Sequence, residues 1–198
     1  MRILMVAPPG AGKGTQAERL AQHFGIEHLA SGEMLRDELA AGSETGEKVR
    51  PYIDRGDLVP DELVLQLVLD RMLAAAERGG YVLDGFPRTL KQAHATDQAA
   101  ADHQTAGGTD ARLQAVVHLA VGRAELQRRM RARGDADGRS DDTAAVIAHR
   151  LEVYEAETEP LLDYYRDQDL LICVDGERSI DEVSRDLIAA LDRAVVRQ

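Results

Sequence analysis

Arg2-Ile3-Leu4-Met5-Val6-Ala7-Pro8-Pro9-Gly10-Ala11-Gly12-Lys13-Gly14-Thr15-Gln16 is the stretch that decides the fold. Its first part, Ile3 to Ala7, is a short apolar run of the kind that forms a buried parallel strand. A Pro/Gly-rich loop follows, then a helical pattern with Ala17, Leu20, Ala21 and Phe24 on one face. Strand, glycine loop, lysine and helix, in that order, make a phosphate-binding loop. Glycines let backbone N–H groups turn inward around an anion, and the first N–H groups of the helix point the same way. Lys13 then reaches the outer phosphates as a point charge. The general pattern G-x-x-x-x-G-K-[ST] is broken at two places. Ala7 stands where the first Gly is expected, and Gly14 stands where Ser or Thr is expected, with the hydroxyl one residue later at Thr15. A methyl group at position 7 requires a backbone without positive φ. The alternative reading is a glycine-rich β–α turn that holds no ligand.

Working outward, 198 residues suit one domain with room for small inserted subdomains. Aliphatic residues and alanine supply the core; Trp is absent and aromatic residues are sparse. No apolar run approaches a membrane span, and the chain enters a strand at once, without a signal peptide. Cys173, the lone cysteine, excludes an intramolecular disulfide and a zinc site built of cysteines. The cytoplasm is the expected compartment. A formal net charge of −11 argues against nucleic acid or an anionic membrane as partner. Between Arg123 and Arg139, however, six arginines stand against Glu125, Asp135 and Asp137. An acidic chain with one concentrated basic stretch points to a small anionic ligand held there.

The pattern alternates strand and helix, which implies an α/β fold with a parallel five-stranded sheet and helices on both faces. Expected strands are Arg2–Ala7, Glu27–Leu29, Gly80–Asp84, Ala115–Ala120 and Leu170–Val174. Expected helices are Gly12–Phe24, Ser31–Ala41, Gly46–Arg55, Asp61–Arg78, Thr89–Gln104, Arg123–Arg133, Asp141–Asp167 and Ser179–Arg197. Ser179 and Glu182 form a capping box, and Pro160 bends the helix that starts at Asp141. Two segments exceed a minimal βαβ scaffold: Ser31 to Val59, with two short helices, and the Gly/Asp-rich loop Gly134 to Ser140. Each is either a flap over the nucleotide site or an ordinary connection.

Three further constellations carry chemistry. Ser31-Gly32-x-x-x-Arg36 sets a hydroxyl at a helix start and a guanidinium one turn on, which is either an N-cap with a surface arginine or half of an anion site. Asp84-Gly85-Phe86-Pro87-Arg88-Thr89-x-x-Gln92 ends an apolar strand in a carboxylate able to hold waters around Mg²⁺. Gly85 admits close approach, Arg88 can clamp a phosphate bidentately, and Gln92 offers an amide to a base edge. The plain alternatives are a turn carboxylate at Asp84 and a Thr89/Gln92 capping box. Arg129-x-x-x-Arg133 places two guanidinia on one helix face, followed by Arg139, Asp141, Asp142 and Arg150.

With Pro-Gly-Ala-Gly-Lys-Gly-Thr, Ser31-Gly32-x-x-x-Arg36, Gly56-Asp57-Leu58-Val59-Pro60 and Asp-Gly-Phe-Pro-Arg-Thr-x-x-Gln taken together, the chain resembles the adenylate kinases. Arg-x-x-x-Arg-Gly…Gly-Arg-x-Asp-Asp…Arg-Leu…Tyr…Thr-x-Pro-Leu resembles their short-lid form, and the likeness runs from Arg2 to about Ile188. The resemblance implies a P-loop NTPase-type fold with a core (about 1–29, 60–133 and 141–198), a small helical AMP-binding insertion (about 30–59) and a short lid (about 132–142). It implies Mg·ATP + AMP ⇌ 2 ADP. Gly10, Ala11, Gly12, Lys13, Gly14, Thr15, Arg129, Arg133 and Gly176 would bind ATP. Ser31, Arg36, Asp57, Leu58, Val59, Gly85, Phe86, Pro87, Arg88 and Gln92 would bind AMP, with Arg139 and Arg150 bridging both nucleotides. Lys13, Arg88, Arg133, Arg139 and Arg150 would carry catalysis, and Asp84 would hold Mg²⁺ through water. Asp141 and Asp142 either orient those arginines, bind ribose or, for Asp141, cap a helix. Long-lid relatives often carry four zinc cysteines; one cysteine implies a zinc-free lid. Monomer is the family expectation.

The chemistry fits the residues. An acceptor that is already an anionic phosphate needs no protein nucleophile or base, so catalysis is positioning and charge neutralisation. The nearest rival is a UMP/CMP kinase, which tends to carry Ala at the place of Ser31 and Asn at that of Gln92. The others are a nucleotide-binding sensor without catalysis and a shikimate- or gluconate-type kinase, which would lack Asp-Gly-Phe-Pro-Arg-Thr.

Overall fold

Alternating side chains along a strand point to opposite faces, and the first strand shows what that does here. In β1 (Arg2–Val6), Ile3 and Met5 enter one apolar cluster while Leu4 and Val6 enter another, all of them buried. A strand apolar on both faces needs a layer of helices on each. A computed structural model describes residues 1–137 and 144–195, with nothing taken from the side chains of 133–137, 144 and 195. The order is β1, α1 (Lys13–Phe24), β2 (Glu27–Ala30), α2 (Ser31–Ala40), α3 (Glu44–Arg55), α4 (Asp61–Glu77), β3 (Tyr81–Asp84), α5 (Leu90–Thr105), β4 (Ala115–Ala120), α6 (Arg123–Asp137), α7 (Ala144–Val153), α8 (Pro160–Arg166), β5 (Leu171–Asp175) and α9 (Ile180–Val195).

The five strands are all parallel, in the order β2-β3-β1-β4-β5. Met5 pairs with Asp84 and Val6 with His118, so the carboxyl ends of β1, β3 and β4 finish side by side. The chain leaves β1 toward β2 and β3 on one side and later returns to β4 on the other. Ligands of open α/β sheets sit in the crevice at such a switch point. The loops after β1 and β3 meet there.

Several expected boundaries shift. The helix expected from Asp141 to Asp167 is divided: α7 ends at Val153, a π turn spans Tyr154–Thr158, and α8 begins at Pro160. The cause is Pro160, whose ring clashes with the carbonyl four residues back and which has no N–H to give it. The chain widens, and the Glu159 N–H reaches the Tyr154 carbonyl at 2.9 Å, five residues back. The loop expected at 134–140 begins later, since α6 continues through Gly134 to Asp137. Ser43, accepting from the Gly46 N–H at 2.9 Å, caps α3 and starts it at Glu44 rather than Gly46. The Ser179/Glu182 capping box forms as expected, with Ser179 N–H on the Glu182 carboxylate at 3.1 Å.

Candidate active site

The loop after β1 is shaped by two glycines. Gly10 has φ +84° and Gly12 φ +87°, a region L side chains avoid. Gly10 is also crowded: a Cβ there would lie 2.7 Å from Met130 Cγ and 3.1 Å from the Leu126 carbonyl oxygen. The phosphate loop therefore rests directly on α6, with Met130 fully buried beneath it. Ala7 does not carry positive φ; among the described residues Asp169 alone of the non-glycines does. Its methyl is buried in the core, which accounts for the departure from the usual glycine.

Asp84 closes β3 opposite this loop, pairs with Lys13, and lies 3.5 Å from Nε2 of His28. Burial pushes its carboxyl up, but Lys13 and His28 outweigh that and hold it well below the usual carboxylate range. The carboxylate is thus ionised and aimed at the loop, where a Cβ on Gly14 would sit 3.4 Å from Oδ2. An ionised, inward-facing carboxylate beside Lys13 and the exposed Thr15 is a donor set that suits a hydrated divalent cation carried by phosphates.

Arg129 ties the far wall together. Its Nη1 donates to the Gly176 carbonyl at 3.0 Å and to that of Ala11 at 3.4 Å, while Nε is held by Glu125 at 2.6 Å. Gly176 lines neither cavity described below and joins the site through this bond. The side chain of Arg133, and Arg139, Asp141 and Asp142 entirely, lie outside the described residues.

The second half gathers around Gly85, whose φ is +79° and whose imagined Cβ would fall 2.9 Å from Ser31 Oγ and 3.0 Å from Arg88 Nη2. Only a residue without a side chain lets both groups approach. Arg88 Nε donates to the Gly85 carbonyl at 2.7 Å, turning the guanidinium into the cleft. Ser31 does not cap α2 as one reading expected. It is the first helical residue, buried, and its hydroxyl donates to the Asp84 carbonyl at 3.3 Å. Arg88 has its pKa lowered by burial first; the charge of Asp84 opposes this, and the like charges of Arg150 and Arg36 add to it. Three cations crowded into one end of a cleft are a site for a multiply charged anion.

A cleft of about 410 Å³ runs from the phosphate loop, Lys13 and Asp84 past Arg129 to Arg36, Arg88 and Arg150. A smaller cavity of about 100 Å³ continues beyond it, walled by Leu35, Ile53, Val59 and Val64 and ending at Gln92. Leu58 lines both. Pro87 faces the larger, but Phe86 lines neither; it is fully buried in the core. Asp57 lines the smaller cavity, with its carboxylate on Arg55 at 2.8 Å and on His149 of α7 at 2.6 Å. Gln92 is 2% exposed. The capping alternative holds in part: Thr89 Oγ1 accepts from the Gln92 N–H at 3.1 Å, but the amide of Gln92 bonds elsewhere.

Sequence reasoning missed His28 and Asp61, and it quoted Tyr154 and Thr158 in a motif without giving them a place at the cleft. His28 beside Asp84 is a polar residue in a strand of a two-sided parallel sheet, which was a usable signal. Tyr154 and Thr158 are both buried and reach the larger cleft from the π turn, which sequence periodicity conceals. Asp61, which holds Gln92 at 2.7 Å, left no local sign.

The sequence model of the family described as "Adenylate kinase" matches residues 5–170. Among curated proteins the chain is 47% identical over 189 residues to an adenylate kinase of Thermus thermophilus, an alignment covering 96% of each. It is 44% identical over 193 residues to that of Mycolicibacterium paratuberculosis, covering 98% of this chain and all of the relative. Against that of Thermobifida fusca it is 42% identical over 191 residues, covering 96% and 98%.

Proposed function

This chain belongs to the adenylate kinase family and is a phosphotransferase of the reaction ATP + AMP ⇌ 2 ADP, and from that premise we propose how its residues divide the work. ATP phosphates bind the backbone of Gly10 to Thr15 with Lys13, and Arg129 and Arg133 hold them from α6. AMP lies with its phosphate on Arg36 and Arg88 and its adenine in the apolar cavity that ends at Gln92. The wall from Asp57 to Val59 contributes backbone, as do Gly85 and Phe86, with Ser31 and Pro87 alongside. Arg139 and Arg150 span both nucleotides, and Gly176 borders the ATP base.

The observation that carries this reading is the convergence of Arg36, Arg88 and Arg150 at one end of a cleft whose other end is the phosphate loop. Two anion sites share one cavity, which is the arrangement a transfer between two phosphorylated ligands requires. The arginines offset the charge that gathers as donor and acceptor phosphates approach, and they hold the acceptor in line with the transferring group. No side chain need remove a proton, because the acceptor oxygen is already anionic. Insertion and α7 close the cleft from above: the Asp57–His149 pair joins them, and Gly56 lies directly under the stem of Arg150. Excluding water there keeps the phosphoryl group from hydrolysis.

Adenylate kinases work with Mg²⁺ and ATP, and Asp84, ionised beside Lys13, would hold the waters of that ion. The ion supplies charge neutralisation on the outer phosphates of ATP. The lid is proposed to be zinc-free, since Cys173 is the one cysteine in the chain. The core, the AMP insertion of about 30–59 and the lid of about 132–142 are proposed as the parts of one kinase domain in a monomeric, cytoplasmic enzyme. No described helix is long and apolar enough to cross a membrane.

The test is initial-rate phosphate transfer from Mg·ATP to AMP, CMP, UMP and GMP, with and without a chelator. AMP should be preferred and the chelator should abolish turnover. A preference for CMP or UMP would overturn the assignment of Gln92 to adenine and of Ser31 to the AMP site.

A further inference from the structure

The amide of Gln92 is held at both ends by groups that cannot exchange roles. Its Oε1 accepts from the backbone N–H of Arg88 at 2.8 Å. Its Nε2 donates to Oδ1 of Asp61 at 2.7 Å. A backbone N–H can only donate and a carboxylate can only accept, so the two partners fix which end of the amide is oxygen and which is nitrogen. Asp61 is itself anchored. Thr89 Oγ1 donates to the same Oδ1 at 3.2 Å while accepting from the Gln92 N–H, and Lys91 Nζ lies 3.6 Å from Oδ2. The first turn of α4 and the first turn of α5 thus form one network around a glutamine that lines the smaller cavity.

The orientation matters because a primary amide pairs with two kinds of base edge. An adenine edge offers a donor at the 6-amino group beside an acceptor at N1. A hypoxanthine or guanine edge offers an acceptor at O6 beside a donor at N1. An amide meets either one, but with its oxygen and nitrogen exchanged. With one lone pair and one N–H of Gln92 already used, one of each remains for the base. The exchanged orientation would set Oε1 against the Asp61 carboxylate and Nε2 against the Arg88 N–H. Both oppositions are repulsive and leave polar groups unpaired in a buried place.

We infer that Asp61 is a specificity-determining positioning residue, which locks the Gln92 amide in the orientation that reads a 6-amino purine and rejects a 6-oxo purine. The inference rests on the proposal that Gln92 reads the base. Asp61 lines neither cavity and acts through Gln92.

The discriminating probe is inosine monophosphate, which differs from AMP only at the 6-position and N1. kcat/KM is measured with AMP and with IMP, at saturating Mg·ATP, for the wild type, Asp61→Asn, Gln92→Leu and the double variant. Asparagine keeps the shape of Asp61 but can donate or accept, so it relaxes the lock. The AMP-to-IMP ratio should fall roughly tenfold in Asp61→Asn, equivalent to about 1.4 kcal/mol. It should not fall further when Asp61→Asn is added to Gln92→Leu. A general loss of structure lowers both rates together and leaves the ratio in place, and Asp61→Ala provides the same ratio where the asparagine variant folds poorly. If Gln92→Leu lowers the ratio and neither Asp61 variant does, the lock is refuted and the reading of Gln92 stands. If the two changes simply add, Asp61 acts elsewhere and the inference fails. If Gln92→Leu leaves the ratio unchanged, the base is not read by Gln92 and the lock falls with it.

Discussion

Replacing Arg88 with alanine removes a guanidinium whose Nε is fixed on the Gly85 carbonyl at 2.7 Å and whose free edge turns into the cleft. A phosphate clamped by such a group loses a charge-assisted, two-pronged contact in a partly dry site. Truncating one partner of a buried, hydrogen-bonded charge pair costs about 2–5 kcal/mol. The loss should be about 3 kcal/mol, or roughly 10²-fold in kcat/KM for AMP. KM for ATP should move by less than about threefold, because Arg88 lies at the far end of the cleft from the loop that holds ATP. Arg88→Lys should recover only part of the loss, since an ammonium keeps the charge but not the fork. The assay is coupled ADP production with each nucleotide varied in turn. A thermal scan guards against a folding defect, and relief of like-charge crowding should keep the midpoint within ~3 °C of wild type. Equal losses toward ATP and AMP, or full activity in Arg88→Lys, would refute the assignment of Arg88 to the AMP phosphate.

Gly10→Ala should fail for two reasons at once: φ of +84° and a methyl 2.7 Å from Met130 Cγ. Strain and overpacking together should cost about 2–4 kcal/mol in urea unfolding and raise KM for ATP; unchanged values of both would mean the loop is not seated on α6. His118 has its pKa lowered by burial first and by Arg166 second. Its unfolded form, near the usual 6.5, therefore takes up a proton before the folded form does, so this group's contribution weakens stability as pH falls from about 7 to 5. His118→Gln should flatten that part of the pH–stability curve, measured as urea midpoints at pH 7.5 and 5.5; an unaltered slope would show that His118 does not titrate differently on folding.

What could be read in the sequence was what the chain encodes locally. The phosphate loop is legible because its chemistry lies within fifteen consecutive residues, and the same holds for the turn from Asp84 to Gln92. The alternation of elements gave a parallel sheet, but not that β3 inserts between β2 and β1, which long-range packing decides. Contacts that cross the fold left no pattern. His28 meets Asp84 across 56 residues of chain, and Asp61 meets Gln92 across 31. The helix expected from Asp141 misled for a different reason. Pro160 signals a bend, but the wider turn that brings Tyr154 and Thr158 into the cleft depends on which carbonyl the Glu159 N–H finds. Phe86 misled because it sits inside a motif: its neighbours face the ligand cleft, while its ring packs inward with Leu83 and Ala93 in the same cluster.

The most direct test of the central claim, that one cleft holds two separable nucleotide sites, is calorimetric titration of AMP and of Mg·ATP separately into Arg36→Ala and Arg129→Ala. Arg36→Ala should weaken AMP by roughly 10- to 100-fold and leave ATP within about threefold, and Arg129→Ala should do the reverse. Equal weakening of both nucleotides by either variant would contradict the division of the cleft.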